Sequence, residues 1–93
     1  MPYIDTDKRE FVNPAISDLL GYLKQIPDEE IEGVLNYTIT EILTTMKRPI
    51  WRYKWINRVM GVLESVKFEF YRRLAGPYED KAIEKNGDII AYE

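Results

Sequence analysis

The sequence predicts an all-α protein, an antiparallel three-helix bundle with a short fourth helix and extended termini. Three observations lead there. Apolar residues recur three and four apart over three long segments, the period of a helix with one buried face. Proline, Gly-Pro and Asn-Gly fall where those segments end, and they are the strongest local punctuators of helices. The connections are short, and short connections make neighbouring helices run antiparallel.

The first helix is expected over about residues 14–26, because Asn13 can cap free backbone N–H groups and Pro14 suits the first helical position. Its stripe is Ile16, Leu19, Leu20, Leu23 and Ile26, and Pro27 ends it. The second is expected over about residues 29–47, with Asp28 as cap and the run Asp28-Glu29-Glu30 at the positive end of the helix dipole. Ile31, Val34, Leu35, Ile39, Ile42, Leu43 and Met46 form its stripe, and Lys47 and Arg48 suit its C-terminus before Pro49. The three-and-four spacing outweighs the weak strand preference of Thr38, Ile39, Thr40 and Ile42.

The third helix, about residues 52–75, is the longest. Ile56, Val59, Met60, Leu63, Val66, Phe70 and Leu74 make its stripe, and Trp55 and Val62 widen that stripe to about half the circumference. On the other side lie Lys54, Arg58, Gly61, Ser65 and Arg72, while Glu69 stands four residues before Arg73 in the favourable ion-pair order. Gly76-Pro77 is expected to end this helix. A short fourth then runs through Lys85 and closes at Asn86-Gly87 in a left-handed conformation. Pro2-Tyr3-Ile4 and the tail from Asp88 to Glu93 read as extended, with Ile89, Ile90 and Tyr92 expected to dock on the N-terminal segment or on a second subunit.

Ninety-three residues make one domain, residues 1–93, and 45% hydrophobic with 31% charged residues suits a packed core rather than a disordered or fibrous chain. No apolar run approaches the length of a membrane span and no secretion signal opens the chain, so no membrane partner is expected and the cytoplasm is the expected compartment. There is no cysteine and no histidine, which excludes disulfides, structural zinc and chemistry built on thiolate or imidazole. No cofactor is expected, and a non-enzymatic protein is the expected class.

The net charge of −3 hides three blocks: residues 1–46 carry −6, residues 47–74 carry +6 and residues 75–93 carry −3. No acid lies between Glu41 and Glu64, and Lys47, Arg48, Arg52, Lys54 and Arg58 fill the gap. Either the blocks neutralise one another or the basic one faces an anionic partner, such as an acidic protein or a nucleic acid.

Three constellations bear on function. The basic-aromatic stretch 47–58 offers Arg52, Lys54 and Arg58 to phosphates and Trp51 and Trp55 to unpaired bases; alternatively the rings plug the bundle and the cations satisfy helix ends. Glu41, Glu64, Glu69, Glu79, Asp80 and Glu84 raise the alternative of a magnesium-dependent phosphohydrolase. Its weakness is spacing, since Glu64 and Glu69 are about 140° apart around a helix. Asn36, Thr40 and Thr44, beside Tyr37 and Glu41, form a polar strip that is either a ligand surface or the wet side of a helix.

The runs Leu35-Asn36-Tyr37-Thr38-Ile39-Thr40, Gly61-Val62-Leu63-Glu64, Lys67-Phe68-Glu69-Phe70-Tyr71-Arg72-Arg73, Pro77-Tyr78-Glu79-Asp80-Lys81 and Asn86-Gly87-Asp88 span most of the chain. In them the sequence resembles a family of short uncharacterised proteins from prokaryotic and phage genomes. The resemblance implies one compact domain and carries no functional residue. From the residues themselves the expected function is an interaction module that dimerises through the wide third helix at Trp55, Val62 and Val66, because two short helices do not cover so broad a stripe.

Overall fold

The computed structural model describes residues 2–47 and 49–92. Met1, Arg48 and Glu93 lie outside the described residues, and with them the expected places of Arg48 at the second helix's end and Glu93 in the tail. Four α-helices occur among the described residues: α1 (Thr6–Leu23), α2 (Ile31–Thr45), α3 (Tyr53–Phe70) and α4 (Gly76–Asn86). Single 3-10 turns lie at Asp28–Glu30 and Ile90–Tyr92, and a π-helical segment, Tyr71–Ala75, joins α3 to α4. The fold is all-α, with no strand among the described residues. The chain divides into two compact units, residues 2–56 and 57–92, with the boundary inside α3.

In the N-terminal unit α1 begins two turns earlier than expected, and Pro14 lies inside it rather than at its start. The residues before Pro14 supply what a helix start needs. Asp7 sits at the positive end of the dipole, the Arg9 N–H bonds the Asp5 carbonyl at 3.0 Å, and the Arg9 Nε donates to the Ile4 carbonyl at 2.7 Å. Pro14 then removes only one helical hydrogen bond from an established helix. Past Leu23 the bonding tightens, with Gln25 N to Tyr22 O at 3.1 Å and Ile26 N to Leu23 O at 3.3 Å. Pro27, at φ −59° and ψ 145°, then breaks the path as predicted.

The acidic run after Pro27 does not cap α2 through Asp28, which makes no side-chain cap bond. It forms a 3-10 turn of its own, closed by Glu30 N to Pro27 O at 2.9 Å. Inside α2, Thr44 Oγ1 donates to the Thr40 carbonyl at 2.6 Å, which satisfies a threonine hydroxyl within a helix.

The expected stop at Gly76-Pro77 is corrected: the helical path runs through it. Gly76 holds helical angles, φ −57° and ψ −56°, and its N–H bonds the Tyr71 carbonyl five residues back. The wider π turn reroutes the ladder just where Pro77 has no N–H to give. Gly76 lacks the Cβ that a proline ring crowds in the preceding residue, and so stays helical. Helix α4 ends at Asn86, and Gly87 takes φ +84° with ψ 158°, a positive-φ exit but not the left-handed helical one. The tail, expected to be extended, instead closes a 3-10 turn with Tyr92 N to Ile89 O at 3.1 Å. With no strand edge among the described residues to pair with, a local turn is what satisfies that backbone.

Taken by itself, neither unit buries any described residue completely. The N-terminal unit half-buries Leu19, Leu23, Ile26, Val34, Leu43, Trp51 and Trp55. Within it the sustained backbone approach is that of α2 to its preceding turn, and in the C-terminal unit that of α4 to the π segment.

Candidate interaction surface

The link from α2 to α3 is built from its aromatics. The last carbonyls of a helix lack internal partners. Trp51 supplies one, its indole N–H bonding the Thr44 carbonyl at 2.9 Å. Trp55 is half-buried, with Lys47 Nζ at 4.6 Å and Lys54 Nζ at 5.2 Å from its ring centroid. Of the residues the sequence singles out, the structure thus brings together Lys54 and Trp55, and it commits Trp51 to the backbone. Arg52 is exposed; its carbonyl accepts from Trp55 N at 2.9 Å and Ile56 N at 3.0 Å at the start of α3. Arg58 lies one turn beyond Lys54, also exposed.

The first turn of α3 contains no acid. Arg52 and Lys54 therefore add positive charge to the positive end of a helix dipole, which concentrates positive potential there. By contrast Asp28, Glu29, Glu30 and Glu32 lie at the start of α2, where the dipole favours them.

Further along α3, Val62 and Val66 are one turn apart, 55% and 59% exposed, and Met60, 61% exposed, lies at the other edge of the wide stripe, about 120–160° round the helix. Toward the C-terminus the polar groups pair locally. Glu69 Oε1 accepts from Arg72 Nη2 at 2.8 Å and Arg73 Nε at 3.0 Å, so Arg72 points to Glu69 as well as the expected Arg73. Lys67 and Glu64 approach to 3.7 Å. Across the π segment the Tyr71 hydroxyl donates to Glu79 Oε2 at 2.6 Å, and that bond, with the carboxylate's charge, holds the phenol above its ordinary value of 10.0. The sequence does not announce this bond, because it spans the Gly-Pro pair that reads as a helix end.

The polar strip of α2 forms an open depression lined by Glu32, Gly33, Asn36, Tyr37, Thr40 and Glu41, on the side opposite Ile31, Leu35, Ile39, Ile42 and Met46. Thr40 Oγ1 donates to Asn36 Oδ1 at 3.3 Å, so the strip is internally bonded. Among the described residues no three His, Cys, Asp or Glu gather to hold a metal ion, and no helix is long and apolar enough to cross a membrane.

Helices whose apolar stripes stay exposed define a class, the small all-helical protein. The chain belongs to the family described as domain of unknown function DUF6899, whose model matches residues 1–89. A search of the curated proteins found no match, and neither did a search of the solved structures.

Proposed function

We propose that this protein is a non-enzymatic, cytoplasmic interaction module that dimerises through α3, the antiparallel three-helix bundle that the sequence pattern expects being completed by the helices of the second copy. The observation that carries this reading is the α3 stripe, where Met60, Val62 and Val66 are each more than half exposed and Leu63 is 37% exposed. Helices α1, α2 and α3 are only 15 to 18 residues long, and most helical stability in proteins comes from packing an apolar face. A second copy offers the same stripe at the same concentration, and a two-fold contact closes on itself.

Helix content and melting temperature followed by circular dichroism over a concentration series test this directly. Both should rise with protein concentration, since association stabilises only the folded form. A concentration-independent melt would remove the reading. Nucleic-acid binding by Lys47 to Arg58 is less favoured because Lys47 and Lys54 sit over Trp55 and the Trp51 N–H is engaged. Retention on single-stranded DNA that weakens steeply with salt would reinstate it.

A further inference from the structure

We infer that the second copy lies antiparallel along α2, so that the acidic turn of each chain meets the basic link of the other at both ends of a two-fold interface. The inference rests on the self-association proposed above and adds to its α3 contact a second one along α2. Residues 28–41 hold five acids and no cation, while residues 47–58 hold five cations and no acid. Asp28, Glu29, Glu30 and Glu32 stand at the start of α2, and Lys47, Arg52 and Lys54 follow its end within the same unit, yet that unit does not pair them. Among the described residues, Asp28, Glu29, Glu30 and Glu32 make no ion pair with Lys47, Arg52 or Lys54.

The reason is length. The 15 residues of α2 hold its two ends about 22 Å apart, beyond the screening length of about 8 Å at physiological salt. A helix charged negatively at its start and positively past its end has one simple complement, a second copy of itself turned end for end. That arrangement brings the acids to the first turn of α3, where Arg52 and Lys54 stand at the unfavourable end of a dipole with no acid nearby. It also lays Ile31, Leu35, Ile39, Ile42 and Met46 on their counterparts; all five are exposed and fall within about 80° of the helix circumference. Parallel pairing would set like charges together at both ends.

The test is a charge swap on the full chain. One variant carries Asp28→Lys, Glu29→Lys and Glu30→Lys; the other carries Lys47→Glu, Arg52→Glu and Lys54→Glu. Each alone should associate at least about tenfold more weakly than the wild type at low salt. An equimolar mixture should recover wild-type affinity as a heterodimer, since each end then faces its opposite. Circular dichroism guards against loss of folding, and Asp28→Asn with Glu29→Gln and Glu30→Gln, which adds no charge at the dipole, should weaken association by a smaller factor. If the wild type associates but the reversed variants do so equally well and gain nothing on mixing, the antiparallel pairing is wrong and the dimer stands on α3 alone. If the basic-link variant keeps wild-type association but loses retention on single-stranded DNA, the cations serve nucleic acid and this inference falls. A wild type that stays monomeric removes the self-association itself.

Discussion

In the N-terminal unit Pro27 ends one helix and a new turn starts the next, whereas in the C-terminal unit Pro77 sits inside an unbroken helical path from α3 to α4. The difference lies in the neighbours. Ile26 precedes Pro27, and a branched residue before proline is pushed away from helical angles; Gly76 precedes Pro77 and is not. The units differ in shelter as well. The first half-covers seven large apolar side chains, while the second half-covers only Val59 among its large ones. The residue before a proline biases where a helix stops without deciding it, since Pro14 follows Asn13 and still lies inside α1. The second unit is thus the barer of the two.

The largest expected effect strikes that bare surface. Val62→Asp with Val66→Asp should weaken self-association by at least about 100-fold, because unpaired charges in a dry contact cost several kcal/mol. Dimerisation unchanged in a sedimentation experiment would show that α3 is not the contact. Next come the two prolines within helices. Pro14→Ala should stabilise by up to about 3 kcal/mol in urea unfolding, by restoring a helical N–H. Pro77→Ala should gain less, since the Gly76 N–H already bonds the Tyr71 carbonyl. Equal gains would erase the contrast between the units. Smaller again, Gly61→Ala should add about 0.5–1 kcal/mol, because a Cβ there meets nothing within 4 Å. A weaker dimer instead would mean that a partner's backbone approaches that face.

The smallest effect is a titration. Because Glu79 holds the Tyr71 phenol above 10.0, the bond's contribution is fully present below the ordinary tyrosine range and is lost as pH rises through the higher folded value. The difference between wild-type and Tyr71→Phe absorbance titrations isolates this tyrosine. Its midpoint should fall toward the ordinary value in Glu79→Ala.

The helices were legible in the sequence where periodicity was strong, as in the stripes from Ile31 to Met46 and from Ile56 to Phe70. The punctuation was less so. Asn13-Pro14 and Gly76-Pro77 have the composition of boundaries, yet Asp7 and Arg9 start α1 earlier and a π turn carries the chain past Pro77. The aromatic link was legible as a cluster but not as a set of contacts. That Trp51 would bond the Thr44 carbonyl depends on the turn between them, although unpaired carbonyls at the end of α2 followed by a tryptophan donor are a usable signal. The tail misled through β-branched Ile89 and Ile90, whose strand preference has no partner strand among the described residues to act on.

Sedimentation equilibrium of the full wild-type chain at micromolar concentration tests the central claim most directly. Self-association predicts a mass rising with concentration from that of one 11.0 kDa chain toward that of two, more steeply at low salt than at high. A constant mass of 11.0 kDa over the whole range, with the helix content unchanged, would contradict it.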